Sequence, residues 1–318
     1  MSDETIEKTF QVSDPAHLSV SNVRGSITIQ PGEMNVIQVR AVKHGNFDSG
    51  RYTIEMAQES DGSVRIETRS NEPVFGFLSH PPKVEYTLQV PQGTQLVASG
   101  VSSTLNVRGL KGEFRLKTVS GGIVLADLSG PINVNVVSGD ISGSRLNGAI
   151  ELQAVSGRGR MMESNIPTAD ASTVSGDLVL QTPLTDGPYR FSSVSGSVRM
   201  LVPADTHCNA ELNSVSGGIR SSFPATTTRM GPGSKTAKIQ GGGAEVRLKS
   251  VSGGLSIETE GIPAEAVLGT PSVPVSPMPP VSPVQPAPEP LNTSEILQRI
   301  ESGEMTVDEA VKLMKDQP

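Results

Sequence analysis

From Val101 to Met161 the apolar residues fall on a nine-residue lattice, apolar–x–Gly–x–apolar–x–apolar–x–x, with units starting at Val101, Leu110, Val119, Leu128, Val137, Leu146 and Val155. The fifth position holds Leu105, Phe114, Ile123, Ile132, Ile141 and Ile150, then gives way at Gly159. The seventh holds Val107, Leu116, Leu125, Val134, Leu152 and Met161, with a gap at Gly143. Positions two apart on an extended chain point to one face. Each unit therefore predicts a short strand with one buried face. The third position is Gly112, Gly121, Gly130, Gly139, Gly148 and Gly157, with Ser103 in the first unit. Glycine there allows the tight backbone of a corner, so one nonapeptide reads as a strand plus a turn.

A second period doubles the first. Val-Ser-Gly begins at Val119, Val137, Val155, Val174, Val194, Val215 and Val251, with steps of 18, 18, 19, 20, 21 and 36 residues. A fixed repeat of this kind marks stacked units that bury their apolar faces only against neighbours. The prediction is a mainly β fold, a two-sided β-solenoid of about 18-residue coils. Each coil has two strands and two corners. A three-sided helix also uses coils of this length, but it would show a six-residue apolar period. Register places Tyr189 and Phe191, then Ala210 and Leu212, on the inner face of the longer coils. The last step reads as one degenerate coil with a loop around Pro224–Gly233. At about 4.8 Å per coil the stack predicts a rod on the order of 40 Å long.

The flanks read differently. Residues 1–90 predict less regular strands at Leu18–Val20, Ser26–Gln30, Val36–Val42, Tyr52–Met56, Val64–Thr68 and Val84–Val90, which start the solenoid and cap its first edge. Residues 91–261 are the repeats. Residues 262–290 form a Pro-rich linker with nine prolines between Pro271 and Pro290, which as polyproline II reaches roughly 60 Å. Residues 291–318 predict a short α-hairpin. Asn292 caps its first helix, Gly303 stops it, and Thr306-Val307-Asp308-Glu309 is a capping box for the second. Ile296, Leu297 and Ile300 on one helix and Val307, Val311 and Met314 on the other form an apolar surface too small to fold alone. It predicts docking on a protein partner or self-association.

Composition adds exclusions. The 318 residues include 33 glycines, no tryptophan and 3% aromatics, which suits a thin core. A net charge of −7 argues against nucleic acid as a partner. The start, Met-Ser-Asp-Glu-Thr-Ile-Glu-Lys, lacks the pattern of a signal peptide. No stretch has the apolar length of a membrane helix. Cys208 is the single cysteine, so there is no internal disulfide. These features predict a cytoplasmic protein.

The run Val84-Glu85-Tyr86-Thr87-Leu88-Gln89-Val90-Pro91, followed by the repeated Val-Ser-Gly, resembles the DUF4097 family of β-strand repeat, adhesin-type proteins. Leu18-Ser19-Val20-Ser21-Asn22-Val23-Arg24-Gly25-Ser26-Ile27 is similar to that family's first repeat. The likeness covers about residues 10–260. Ile296–Met314, centred on Glu301-Ser302-Gly303-Glu304-Met305-Thr306, resembles the SHOCT-like helical hairpins that accompany such domains in bacteria. The adhesin-type resemblance implies surface exposure, and some relatives with a similar hairpin are linked to cell-envelope stress responses.

Candidate chemistry is sparse. The serines of the Val-Ser-Gly units lack a placed histidine base, the histidines being scattered at 17, 44, 80 and 207. They read as corner residues that bond backbone groups of adjacent coils. Asp140 and Asp177 share a position, but Arg158 holds the coil between them, so no carboxylate pair for glycoside chemistry emerges. The regular aspartates of a calcium β-roll are missing. His207-Cys208 offers two neighbours on opposite faces of a strand, which is no metal site. Gly231-Pro232-Gly233-Ser234-Lys235-Thr236 lacks the Gly-Lys adjacency of a phosphate loop. No cofactor is expected. Arg160, Arg199 and Arg220 share one position, with Arg158 nearby and Val179 interrupting, and predict a basic stripe for an anionic partner. The reading that follows is a non-enzymatic scaffold. A surface adhesin and a polysaccharide-acting enzyme are the alternatives.

Overall fold

The computed structural model describes residues 3–44, 52–70, 82–185 and 187–260. The Pro-rich linker and the helical hairpin lie outside the described residues. Six strands precede the regular repeats: β1 (Glu4–Gln11), β2 (His17–Pro31), β3 (Val36–His44), β4 (Tyr52–Gln58), β5 (Val64–Ser70) and β6 (Lys83–Val90). The first full coil is a single bent strand, β7 (Gln95–Arg108). Later coils each give two strands: β8 (Phe114–Ser120) and β9 (Ile123–Ala126), β10 (Ile132–Ser138) and β11 (Ile141–Ser144), β12 (Ile150–Ser156) and β13 (Gly159–Met162). Next come β14 (Ala169–Ser175) and β15 (Leu178–Gln181), β16 (Tyr189–Ser195) and β17 (Val198–Val202), β18 (Cys208–Ser216) and β19 (Ile219–Ser221). The chain closes with β20 (Ala225–Gly231), β21 (Ser234–Ile239), β22 (Ala244–Ser252) and β23 (Leu255–Thr259).

The two-sided β-solenoid is present. One sheet stacks β7, β8, β10, β12, β14 and β16 in parallel, with Phe114, Ile132, Ile150, Ala169 and Tyr189 in one column. The other stacks β7, β9, β11, β13, β15 and β17 in parallel, with Leu105, Ile123, Ile141, Gly159, Leu178 and Val198 in one column. The fifth- and seventh-position side chains of both sheets are buried against each other. Gly143 and Gly159 also face inward. A Cβ on either would approach Leu146 Cδ1 or Leu178 Cδ1 within 2.6 and 2.7 Å, so a neighbouring leucine fills each missing side chain's space.

The stack starts on β2, which pairs in parallel with β7 along both halves. Antiparallel strands close this end, β4 on β5 in one sheet and β1 on β3 on β6 in the other. The two segments Leu18–Val20 and Ser26–Gln30 are one continuous strand. β1 escapes the sequence pattern because an edge strand buries little: Phe10 is its one fully buried side chain. Asn22 takes a buried position where β2 bends. Its Nδ2 donates to the Val84 carbonyl at 2.8 Å and its Oδ1 accepts from Thr68. The Thr68 and Tyr86 hydroxyls lie 2.7 Å apart, and burial pushes the Tyr86 phenol up to about 12.

The far end departs from the expected order. No degenerate coil fills the 36-residue step. Residues 225–239 form an antiparallel hairpin, β20 and β21, and β21 pairs with β18. The last coil then inserts between its predecessors. β22 pairs with β16 on one side and β18 on the other, while β23 sits between β17 and β19. Spatially, the Val-Ser-Gly of Val251 lies between those of Val194 and Val215. A sequence repeat gives the shape of a rung but not its neighbour, which is why spacing alone misplaced this coil.

Candidate functional site

Stacking makes columns of identical side chains, and the Val-Ser-Gly corner is the clearest. From Gly121 to Gly196 its glycines carry positive φ, 151° at Gly139 and 134° at Gly157. Their place is fixed by contact as well. A Cβ on Gly139 would lie 2.1 Å from the Gly121 carbonyl oxygen, and one on Gly157 would lie 2.0 Å from that of Gly139. Up to the last coil of the stack, the amide of each glycine donates to a serine carbonyl of the adjacent coil, as Gly139 N does to Ser156 O at 3.2 Å. The backbone therefore closes this corner. The serine hydroxyls are exposed and make no hydrogen bond within the described residues, which corrects the expectation that they cap it.

The valines of the same corner point outward. In spatial order they are Val101, Val119, Val137, Val155, Val174, Val194, Val251 and Val215, between 42% and 85% exposed. At the opposite corner the equivalent Leu110, Leu128 and Leu146 are buried. A shallow groove of about 340 Å³ runs beside Val137, Val155 and Val174, floored by Val136, Ala154 and Thr173 and walled by Lys117, Asn135 and Gln153. The family model described as Toastrack DUF4097 matches residues 16–258. The chain belongs to the Toastrack DUF4097 family.

Solved structures similar to this Toastrack chain include the "putative adhesin" from Bacteroides fragilis NCTC 9343, at 13% identity and TM-score 0.43, covering 80% of this chain and 97% of that one. The "putative adhesin" from Parabacteroides distasonis ATCC 8503 has 13% identity and TM-score 0.41, with the same coverages. A "putative lipid binding protein" from Parabacteroides distasonis ATCC 8503 has 12% identity and TM-score 0.39, covering 80% and 96%. Those descriptions belong to those proteins. No curated protein matches the sequence.

The predicted arginines occupy the second sheet of the Toastrack solenoid. Arg160 pairs in register with Ser142 and Val179, Arg199 with Val179 and Ser256, and Arg220 with Ser256. The inserted coil thus spaces the three evenly, on every second rung, about 9.5 Å apart. Arg199 Nε lies 3.4 Å from Glu258 Oε1. Among the described residues neither Arg160 nor Arg220 has a carboxylate partner. Arg158 stands apart from the row, at the turn before it. Its guanidinium meets Asp140 at 3.1 Å and its amide donates to Asp140 Oδ1 at 2.9 Å. That amide bond first, then the guanidinium, hold the Asp140 carboxyl below the usual carboxylate range. Asp177 does similar work two coils on, accepting from Ser197 N at 2.8 Å. Asp140, Arg158, Arg160, Asp177 and Arg199 line one shallow depression of about 580 Å³.

One juxtaposition was not anticipated. Glu151 and Asp170 are register partners on β12 and β14, so two carboxylates do stand on adjacent rungs. Glu151 accepts from Asn133 at 2.7 Å and from Gln153 at 3.3 Å. Their partnership depends on the 19-residue step, which hides it from a fixed period. Cys208 faces the core and is buried, its thiol pushed up to about 11 by that burial, while His207 is exposed. Lys235 of the Gly-Pro-Gly-Ser-Lys-Thr segment donates through Nζ to the Gly217 carbonyl, beside the β20–β21 turn. Among the described residues no three His, Cys, Asp or Glu side chains gather as metal ligands, and no helix is long and apolar enough to cross a membrane.

Proposed function

We propose that this Toastrack chain is a non-catalytic interaction scaffold whose second sheet holds an anionic partner through Arg160, Arg199 and Arg220. The observation that carries the reading is the spacing of these arginines at one register position on alternate rungs. Guanidinium groups grip carboxylates and phosphates in a planar, bidentate manner. A row at about 9.5 Å intervals fits a partner with repeated anionic groups better than a single small ion. Val179 and Ser256 fill the intervening rungs and leave the forks room to turn. Arg158, engaged by Asp140, orients the rim rather than joining the row.

Residues 291–318, whose sequence predicts a helical hairpin, serve in this proposal as a second docking element, using Ile296, Leu297, Ile300, Val307, Val311 and Met314. A cytoplasmic setting belongs to the same proposal, and a chain with one buried thiol needs no oxidising compartment to fold. The test is recovery of partners from cell lysate by three proteins: the full chain, a version ending at Gly261, and the full chain carrying Arg160→Ser, Arg199→Ser and Arg220→Ser. Loss of one partner set with the arginines and of another with the hairpin supports both docking elements. Unchanged recovery by the triple variant removes the arginine row from the proposal.

A further inference from the structure

We propose that the valine ladder is an interface with a second copy of this chain, the two solenoids lying side by side and parallel. The proposal does not rest on the arginine row. The ladder is apolar over its length, and each valine keeps roughly half of its surface exposed, Val215 at the end of the stack more. Eight such side chains make a patch on the order of several hundred Å², the size at which an exposed apolar surface marks an interaction site.

The partner is identified by period and charge. A surface that meets every rung must itself repeat at about 4.8 Å, and a copy of the same stack does so over the whole length. In a chain with 33 acidic and 26 basic residues, the columns flanking the ladder carry no carboxylate. One flank is the serine column, whose hydroxyls are unused. The other runs through Lys117, Asn135, Gln153 and Ser172. Further along, that column passes through Ser192, Lys249 and Asn213, so the flanks hold two lysines and no carboxylate, a sparse charge that suits a like surface and does not call for a strongly charged one.

Shape selects the arrangement. The valine ridge lies directly beside the groove floored by Val136, Ala154 and Thr173. A two-fold axis parallel to the stack sets each copy's ridge into the other's groove, an isologous and closed contact. It also places each lysine column against the partner's serine column, so Lys117 and Lys249 do not meet their own kind. An antiparallel pairing would set ridge on ridge and bring those lysines together.

The experiment uses the full chain. Sedimentation equilibrium is expected to give a dimer at tens of micromolar, and Val137→Asp with Val155→Asp and Val174→Asp to weaken it at least tenfold while far-UV circular dichroism stays unchanged. A Val119→Cys variant, far from the ladder's midpoint, is expected to form a disulfide-linked dimer under mild oxidation, because the parallel pair sets residue 119 beside its own equivalent. That variant keeps the test alive if the triple aspartate protein fails to fold. The chain with Ile296→Ser and Val311→Ser is expected to remain dimeric, which separates this interface from the hairpin. A monomeric wild-type chain, a dimer lost through the hairpin changes alone, or a dimer in which Val119→Cys does not cross-link would each overturn the proposal.

Discussion

The two corners of each coil are written in one nonapeptide and end in opposite states. At the leucine corner the first-position side chain is buried, as in Leu128 and Leu146. At the valine corner it is exposed, as in Val137 and Val155. The cause is one backbone angle. Asp127, Arg145 and Glu163, each just before the leucine corner or its degenerate successor, have φ of 55°, 51° and 51°. A left-handed residue interrupts the alternation of faces, so the next side chain turns inward. At the valine corner the strand runs on without that interruption. Thr118 or Val136 points in and the following valine points out. Two corners of equal hydrophobicity thus divide labour, one filling the core and one presenting a surface.

The sharpest way to break this comparison is at the glycine column. Gly157→Ala is expected to cost about 3 kcal/mol or more, because its Cβ meets a carbonyl oxygen of the adjacent rung and the backbone must shift. Gly218→Ala, with open space around it, is expected to stay within about 0.5 kcal/mol. Urea denaturation of the pair reads the difference. Next comes the first position itself. Leu128→Ala is expected to lose about 2–5 kcal/mol as a core truncation, and Val119→Ala, measured in dilute protein, under about 1 kcal/mol. Equal losses would mean that the corners are not distinct.

Smaller effects test the backbone cause. Glu163→Gly is expected to raise stability by up to about 1 kcal/mol by relieving the left-handed strain. Ala154→Gly, at the matching place before the valine corner, is expected to lower it by roughly 1 kcal/mol. Thermal melts of the two variants should move in opposite directions. Last, the Arg145 guanidinium, at 2.6 and 2.9 Å, holds the exposed Asp127 carboxyl below the usual carboxylate range. A depressed folded-state value contributes stability above the ordinary carboxylate range and loses it as pH falls through the depressed value. Carbon-detected NMR titration should show Asp127 rising toward its ordinary value in Arg145→Gln.

The strands of the repeat were legible because Ile123, Ile132, Ile141 and their companions alternate with polar residues, a signal that burial alone imposes. The split between corners was not. Leu128 and Val137 sit at the same lattice position, and the deciding angle belongs to Asp127, Arg145 and Glu163, three different residue types that share one left-handed state, so no residue type marks it in the sequence. The arginines were legible as a type, yet their even spacing depends on the coil of Val251 standing between those of Val194 and Val215. The serine hydroxyls misled in the other direction. Local bonding suits serine at corners in general, and here backbone amides had already taken the available carbonyls.

The interposed coil of residues 244–259 makes order of synthesis and order of position disagree. In an ordinary repeat protein a chain shortened from its C terminus loses its outermost layer and keeps a smaller version of itself. Here it would lose a layer from within, leaving Cys208–Ser221 and the β20–β21 hairpin with nothing to rest on. A ribosome-bound chain carries that vacancy until residue 259 has emerged, so the last coil of the stack to be made acts as a keystone.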